Sequence, residues 1–367
     1  MNLPNIQIAR GVAATLVVFA HANLIINKEL FNGFFIIGWS GVDFFFVISG
    51  FIIFLTNQKY FGDKSNFITY TKKRLIRVVP TYWICLTFFA LALYVMLERN
   101  SPTPIFSTQP EGFATRFINS FFLLPTDIHS NEYPMLPVAW TLTYEMMFYL
   151  LFAACFFVSR RAALVVGGIW LSLIAARILN FFQASFDNTL FYIITEPKNI
   201  EFLLGCLTAY LFTRYTFTDR ARGILLSLGL ATLAVAWVNT WLDFIWFGKN
   251  ISVQFGIPYF LITLAIAKEE ININRHNSVK KFFIFIGDAS YSIYLTHYPL
   301  LLIFASLSRN KGINDYALFF FLLTASIILG TIFYRIIEKP IIELAKRKFL
   351  KTKSSTESNL RSAILHK

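Results

Sequence analysis

Residues 5–26 read NIQIARGVAATLVVFAHANLII, an apolar run interrupted by only two ionisable side chains, Arg10 and His21. A run of about 20 such residues is long enough to cross a bilayer core of about 30 Å as a helix. Barrel strands are shorter and alternate apolar with polar residues, which this run does not. Blocks of the same kind recur along all 367 residues. The chain is 56% hydrophobic and 14% charged, with 42 Phe and a mean hydropathy of +0.58. A soluble domain is nearer a quarter charged. In lipid the backbone must satisfy its own hydrogen bonds, which leaves helices or closed barrels. The fold class is therefore all-α, a polytopic membrane protein.

Ten spans are predicted, at about 5–26, 36–56, 78–97, 139–158, 162–181, 196–213, 222–240, 252–267, 282–304 and 316–337. The eighth is short and contains Gln254 and Pro258. The stretch Phe117–Leu124 is too short to span and is placed at the interface. With the N-terminus inside, and with Lys198 and Arg222 at span ends counted with their adjoining loops, 23 of the 33 Lys and Arg fall in cytoplasmic segments and 7 in outer ones; Arg10, Arg177 and Arg335 lie within spans. That bias predicts both termini in the cytoplasm. Residues 1–340 form the transmembrane domain, and 341–367 a basic, partly disordered cytoplasmic tail set against anionic headgroups. The localisation implied is a multi-pass cell (inner) membrane protein. The net charge of +13 is thus a topology signal, and nucleic acid is excluded as a partner. The first helix is too long for a cleavable signal peptide and lacks a small-residue cleavage site. Cys85, Cys155 and Cys206 all fall in apolar spans, which reads as packing and not as a disulfide framework. No internal repeat, Gly-rich phosphate loop or metal-ligand spacing occurs.

Charge inside hydrocarbon costs a few kcal/mol or more and calls for a reason. At about 1.5 Å per residue, His21, Asp43, Glu145, Arg177 and His297 all fall roughly 8–12 Å below the outer face. Arg10, Arg74, Arg77 and Arg335 fall near the inner face. Two layers result, one with imidazoles and carboxylates, the other strongly basic. Arg74, Arg77 and Arg335 also fit plain positive-inside anchors, Asp43 and Arg177 structural ion pairs, and a buried His a helix–helix hydrogen bond. Glu145 is the hardest to dismiss, because a buried carboxylate demands a partner. The pair of layers suits acyl transfer. A neutral His is the usual base near pH 7, a carboxylate can orient it, and guanidinium groups grip phosphates. A donor with a phosphorylated head and a thin arm, as in coenzyme A, matches that spacing.

The order of motifs is more specific. Arg10 and His21 stand ten residues apart. Gly38–Phe51 reads GWSGVDFFFVISGF; Arg74-Leu-Ile-Arg77 precedes Val78-Val79-Pro80-Thr81-Tyr82-Trp83; Trp140-Thr-Leu-Thr-Tyr-Glu145 opens the fourth span. Gly287-Asp-Ala-Ser290-Tyr291-Ser-Ile-Tyr294-Leu-Thr-His297 lies in the ninth, and Glu338-Lys339-Pro340 closes the tenth. In this order, from Arg10 to Pro340, the set resembles the acyltransferase family 3 membrane proteins, which O-acylate surface and exported glycans. The resemblance implies a stand-alone O-acetyltransferase type without a fused hydrolase-like domain. It implies that His21 activates the acceptor hydroxyl and that Glu145 is the acidic residue of the fourth-span motif; the shared depth offers Glu145 or Asp43 as the orienting carboxylate. The resemblance also implies that Arg10, Arg74 and Arg77 bind acyl-CoA, acetyl-CoA being the first candidate, and that no cofactor is held permanently. Tyr291 and His297 match the ninth-span motif, and with Arg177 are candidates for substrate or structural roles. Gly41, Ser49 and Gly50 read as small residues for close helix packing, and Trp140 as an interface anchor. The acceptor is a glycan or lipid-linked saccharide, with exopolysaccharide, lipopolysaccharide, capsule and peptidoglycan all open. Two rival readings stand beside this one. Intramembrane His and carboxylates also form the proton relays of transporters and channels, and a non-catalytic assembly factor of a polysaccharide system would have the same hydropathy.

Overall fold

A computed structural model describes residues 3–26, 30–98, 112–127, 132–242, 251–268, 277–308 and 312–350. Among the described residues the secondary structure is helical throughout. The α-helices are α1 Pro4–Ile26, α2 Gly41–Asn57, α3 Phe67–Glu98, α4 Phe113–Phe121, α5 Trp140–Ala154, α6 Arg160–Ile178, α7 Thr189–Thr195, α8 Asn199–Arg214, α9 Asp219–Trp241, α10 Ile251–Ile266, α11 Ser278–Asp288, α12 Ser290–Ser308, α13 Asp315–Phe333 and α14 Lys339–Phe349. Seven stretches among the described residues are long and apolar enough to cross a membrane: Pro4–Ile26, Leu30–Tyr60, Lys64–Val95, Pro137–Phe157, Arg160–Ile178, Asp219–Trp241 and Asp315–Phe349. They coincide with predicted spans one to five, seven and ten. The other three are shorter or interrupted. α8 and α10 have 16 residues each, and the predicted ninth span breaks at Ala289 into α11 and α12. α6 and α9 leave Leu164, Val165, Val166, Ile224, Leu228 and Leu230 exposed. A continuous apolar surface of that size would drive association in water, and in lipid it is simply solvated. The protein is a helical polytopic membrane protein.

α2 sits in the middle of the packing, touching α1, α5, α8 and α10. Its approach to α8 depends on two glycines. A Cβ on Gly50 would strike the Phe202 carbonyl, and one on Gly205 the Val47 carbonyl. Small residues let helix backbones come this close without a hydrophobic driving force between helices. The glycines of the second-span motif therefore do the packing expected of them, while Ser49 has a polar partner described below. Ahead of α2, the segment Leu30–Ser40 folds back over α1 and α9. Trp237 and Trp241 donate their indole N–H to the carbonyls of Phe34 and Asn32 (3.1 and 2.6 Å), and the Ser40 hydroxyl bonds to Tyr259 (2.7 Å). α3 begins at Phe67, well inward of the predicted 78, because the basic turn bearing Lys72, Lys73, Arg74 and Arg77 continues the same helix. α4, the short stretch placed at the interface, docks on α3 through Tyr82 Oη to the Ser120 carbonyl (2.6 Å) and Trp83 stacked on Phe121. α13 passes through a π-helical turn, Tyr334–Glu338, directly into α14, so the start of the basic tail is a helix. The rest of the tail lies beyond Leu350, outside the described residues.

Candidate active site

A cavity of about 180 Å³ opens between α1, α2, α3, α5 and α12, lined among others by Arg10, Ser49, Arg74, Arg77, Glu145, Tyr149, Tyr291 and Tyr294. The three arginines singled out in the sequence thus meet in one space. Arg77 is fixed there: it pairs with Glu338 (3.0 Å), which is wholly buried and also accepts from Ser292 (2.5 Å). Tyr291 supports it from below, its ring 5.7 Å from the guanidinium and its hydroxyl donating to the Val78 carbonyl (2.9 Å). Arg10 donates only to Gln7 (3.3 Å), and Arg74 only to Thr56 (3.4 Å), its guanidinium lying over the rings of Tyr70 and Tyr149. Arg74 Nε is buried and makes no hydrogen bond among the described residues. Neither Arg10 nor Arg74 has a carboxylate at ion-pair distance among the described residues, in contrast to Arg77. Unmatched guanidinium groups facing a cavity fit a phosphate, which they grip through parallel N–H donors.

Glu145 also lines this cavity, where it accepts from Ser49 (3.2 Å) and from the Tyr149 hydroxyl. Its estimated depth groups it with His21, but its helix face turns it toward the arginines. The partner of His21 is instead His297, whose Nε2 lies 3.3 Å from His21 Nδ1. Each ring also meets a carbonyl one turn back, His21 Nδ1 at the Val17 oxygen (3.0 Å) and His297 Nδ1 at the Ile293 oxygen (3.1 Å). A carbonyl can only accept, so both Nδ1 atoms carry the proton in the neutral rings. His297 Nε2 is then bare and accepts from His21 Nδ1–H, and His21 Nε2 is left with a free lone pair. That arrangement leaves His21 Nε2 able to accept a proton and keeps Nδ1–H bonded when the ring is charged. His297 is fully buried, while His21 is half-buried. Tyr294 links the pair to the cavity. It lines the cavity, its hydroxyl bonds to Thr141 (2.8 Å) and to the Val138 carbonyl (2.9 Å), and its ring centroid is 5.8 Å from that of His297.

Two candidates lie apart from this site. Asp43, expected as a possible orienter of His21, is 1% exposed and pairs with Lys198 (2.8 Å), beside buried Glu201. It sits on the face of α2 that packs on α8, away from α1. Arg177 binds Glu196 (3.0 Å), the Tyr192 carbonyl (2.7 Å) and Thr195 (3.1 Å), clasping α6 to α7. Both are structural ion pairs in this geometry. Lys198, Glu201, Ser292 and Thr141 have no counterpart among the predicted site residues. Lys198 stands at the start of the sixth predicted span and counts with the outer segment; Glu201 carries the same signal as Glu145, a carboxylate inside a predicted span, and Thr141 and Ser292 lie within the motifs of spans four and nine.

Residues 3–335 match the profile of a family described as an acyltransferase domain. The chain is 26% identical to the exopolysaccharide production protein ExoZ of Rhizobium meliloti (strain 1021), over 86% of this chain and 92% of that protein. It is 28% identical to the O-acetyltransferase OatA of Staphylococcus aureus (strain NCTC 8325 / PS 47), over 92% of this chain and 57% of that one. No solved structure matches.

Proposed function

The chain belongs to acyltransferase family 3 and is an O-acyltransferase, and from that premise we propose that it moves an acetyl group from cytoplasmic acetyl-CoA to a hydroxyl of a surface or exported polysaccharide. Its similarity to an exopolysaccharide production protein and to an O-acetyltransferase supports that acceptor and that group. The observation that carries the donor assignment is the cavity with two unpaired arginines at one part and Tyr294, next to the histidine pair, at another. At about 180 Å³ it is smaller than the roughly 300 Å³ of common small-molecule pockets. It suits the thin arm of coenzyme A, with the phosphorylated head held by Arg10 and Arg74 beside the ion-paired Arg77. Ten spans with both termini in the cytoplasm put these arginines on the inner side and His21 toward the outer one. The domain layout is then residues 1–340 in the membrane and a cytoplasmic tail from 341.

The reaction is a direct displacement. The acceptor oxygen attacks the thioester carbonyl carbon while His21 Nε2 takes the hydroxyl proton. The C–S bond breaks, and the sulfur leaves as a thiolate that recovers the proton from His21. His297 holds the Nδ1–H of the imidazolium throughout. Glu145 holds Ser49 and Tyr149 in the wall of the donor cavity. General base catalysis contributes about 10²–10⁴-fold. Purified protein in nanodiscs, given radiolabelled acetyl-CoA and de-O-acylated surface glycan, is expected to label the glycan. The His21→Ala variant is expected to lose about 10²-fold or more of that rate at an unchanged protein level. Retained transfer by the variant overturns the assignment of His21.

A further inference from the structure

Three rings surround His21: Trp39 at 4.8 Å between centroids, His297 at 5.0 Å and Tyr298 at 5.3 Å. Two of them are sealed, His297 and Tyr298 being 0% and 2% exposed; Trp39 is 42% exposed. Of the three, the indole alone offers an open face beside His21. Four of the six described tryptophans donate their N–H to a backbone carbonyl: Trp83 to Phe121, Trp170 to Ile194, Trp237 to Phe34 and Trp241 to Asn32. Trp140 lies against the Lys198 ammonium. The Trp39 N–H makes no hydrogen bond among the described residues, so this side chain offers an open face and a free donor together. Its backbone is held on both sides. At Gly38 the backbone runs so close to α1 that a Cβ would strike the Leu16 carbonyl and Ala20, and Ser40 bonds to the Ile37 carbonyl (2.6 Å) and Tyr259 (2.7 Å).

We propose that Trp39 is the acceptor platform: the C–H face of a pyranose ring stacks on the exposed indole, which presents a sugar hydroxyl to His21. This rests on the acyl-transfer reading given above. A pyranose has C–H bonds with slight positive charge on its faces and hydroxyls around its rim. The negative face of the indole matches the first and the indole N–H the second. A platform with a fixed backbone and only two side-chain torsions loses little entropy on binding. An interfacial tryptophan that merely anchors the segment in lipid would have the same exposure but would not act on the acceptor.

The test uses the full chain in nanodiscs, radiolabelled acetyl-CoA, and surface glycan from the producing cells stripped of O-acyl esters by mild alkali. For Trp39→Ala, the KM for glycan is expected to rise about tenfold, the loss of roughly one stacking contact. The kcat at saturating glycan and the KM for acetyl-CoA stay within about threefold. Trp39→Leu, which keeps apolar bulk without a π face, must behave like the alanine variant, and Trp39→Phe, which keeps a π face but loses the N–H donor, must fall between wild type and the alanine variant. An unchanged glycan KM in the alanine and leucine variants overturns the proposal. So does a fall in kcat with glycan KM unchanged, which would make Trp39 a positioning residue for His21. Wild-type protein that labels no glycan overturns the acyl-transfer reading itself, an outcome distinct from either of these.

Discussion

His21 and His297 each commit Nδ1 to a carbonyl of their own helix, and that local bond decides which nitrogen of the pair is free. The same geometry makes His297 a positioning residue. His297→Ala should lower kcat about 10- to 100-fold, the scale of losing near-attack alignment, with both KM values little changed. His297→Gln should restore part of the rate, because its amide oxygen can accept from His21 Nδ1–H as the bare Nε2 does. Equal losses in the two variants would remove the hydrogen bond from the mechanism. At this scale the sequence was informative about which residues are special and weak about who meets whom. His21, Arg10 and Glu145 stand out as ionisable groups in apolar runs, and Arg10, Arg74 and Arg77 do converge on one cavity. Depth along a span is only one coordinate, however. The azimuth of a side chain is fixed by helix packing, and it separates Glu145 and Asp43 from His21 although all three lie at similar estimated depth. Lys198 is the clearest case. It sits at a span boundary, where hydropathy says nothing about inward or outward direction, and it takes Asp43 for itself.

Among the elements, α2 is the one on which the site depends, since it carries Ser49, contributes several cavity residues and touches α1, α5, α8 and α10. Its contact with α8 leaves no room at Gly50, where a Cβ would meet backbone of Phe202 that cannot turn aside. Gly50→Val should therefore abolish well-folded protein, seen as loss of the monodisperse peak in detergent and of a cooperative thermal transition. Gly223 has nothing within 4 Å of an added Cβ, so Gly223→Ala should be neutral or slightly stabilising, by up to about 1 kcal/mol from helix propensity. Intact Gly50→Val protein with native stability would mean the α2–α8 crossing is not as close as described. The existence of the helices is written in hydropathy, and their breaks are not. α11 and α12 divide at Ala289, within one apolar stretch. The π-helical turn at Tyr334–Glu338 is shaped by Glu338 reaching Arg77 and Ser292, contacts 261 and 46 residues away in sequence.

For the whole molecule, the sidedness of the site follows from the number of crossings. Ten spans with a cytoplasmic N-terminus put Asn314 outside and Lys346 inside. In a cysteine-free background, a membrane-impermeant thiol reagent on intact cells should label Asn314→Cys and leave Lys346→Cys unlabelled until the cells are opened. The reverse pattern would remove the eighth crossing, α10, which has only 16 residues and carries Pro258 inside the helix. It would also put α12 and His297 on the wrong side of the donor cavity. The two charged layers inferred from the sequence become, in the folded chain, one cavity of arginines and one histidine pair joined through Tyr294. Under the proposed function these two parts are the route along which a donor on one side of the bilayer meets an acceptor on the other.

Vesicles that hold the protein in one orientation test this most directly. Radiolabelled acetyl-CoA is confined to the side of Arg74 and Arg77, and de-O-acylated glycan is supplied on the opposite side only. Label is expected to appear on the glycan with wild-type protein and to fall about 10²-fold or more with His21→Ala. Label that appears only when donor and acceptor share one side, or that survives in the His21 variant, would contradict transfer across the membrane through this site.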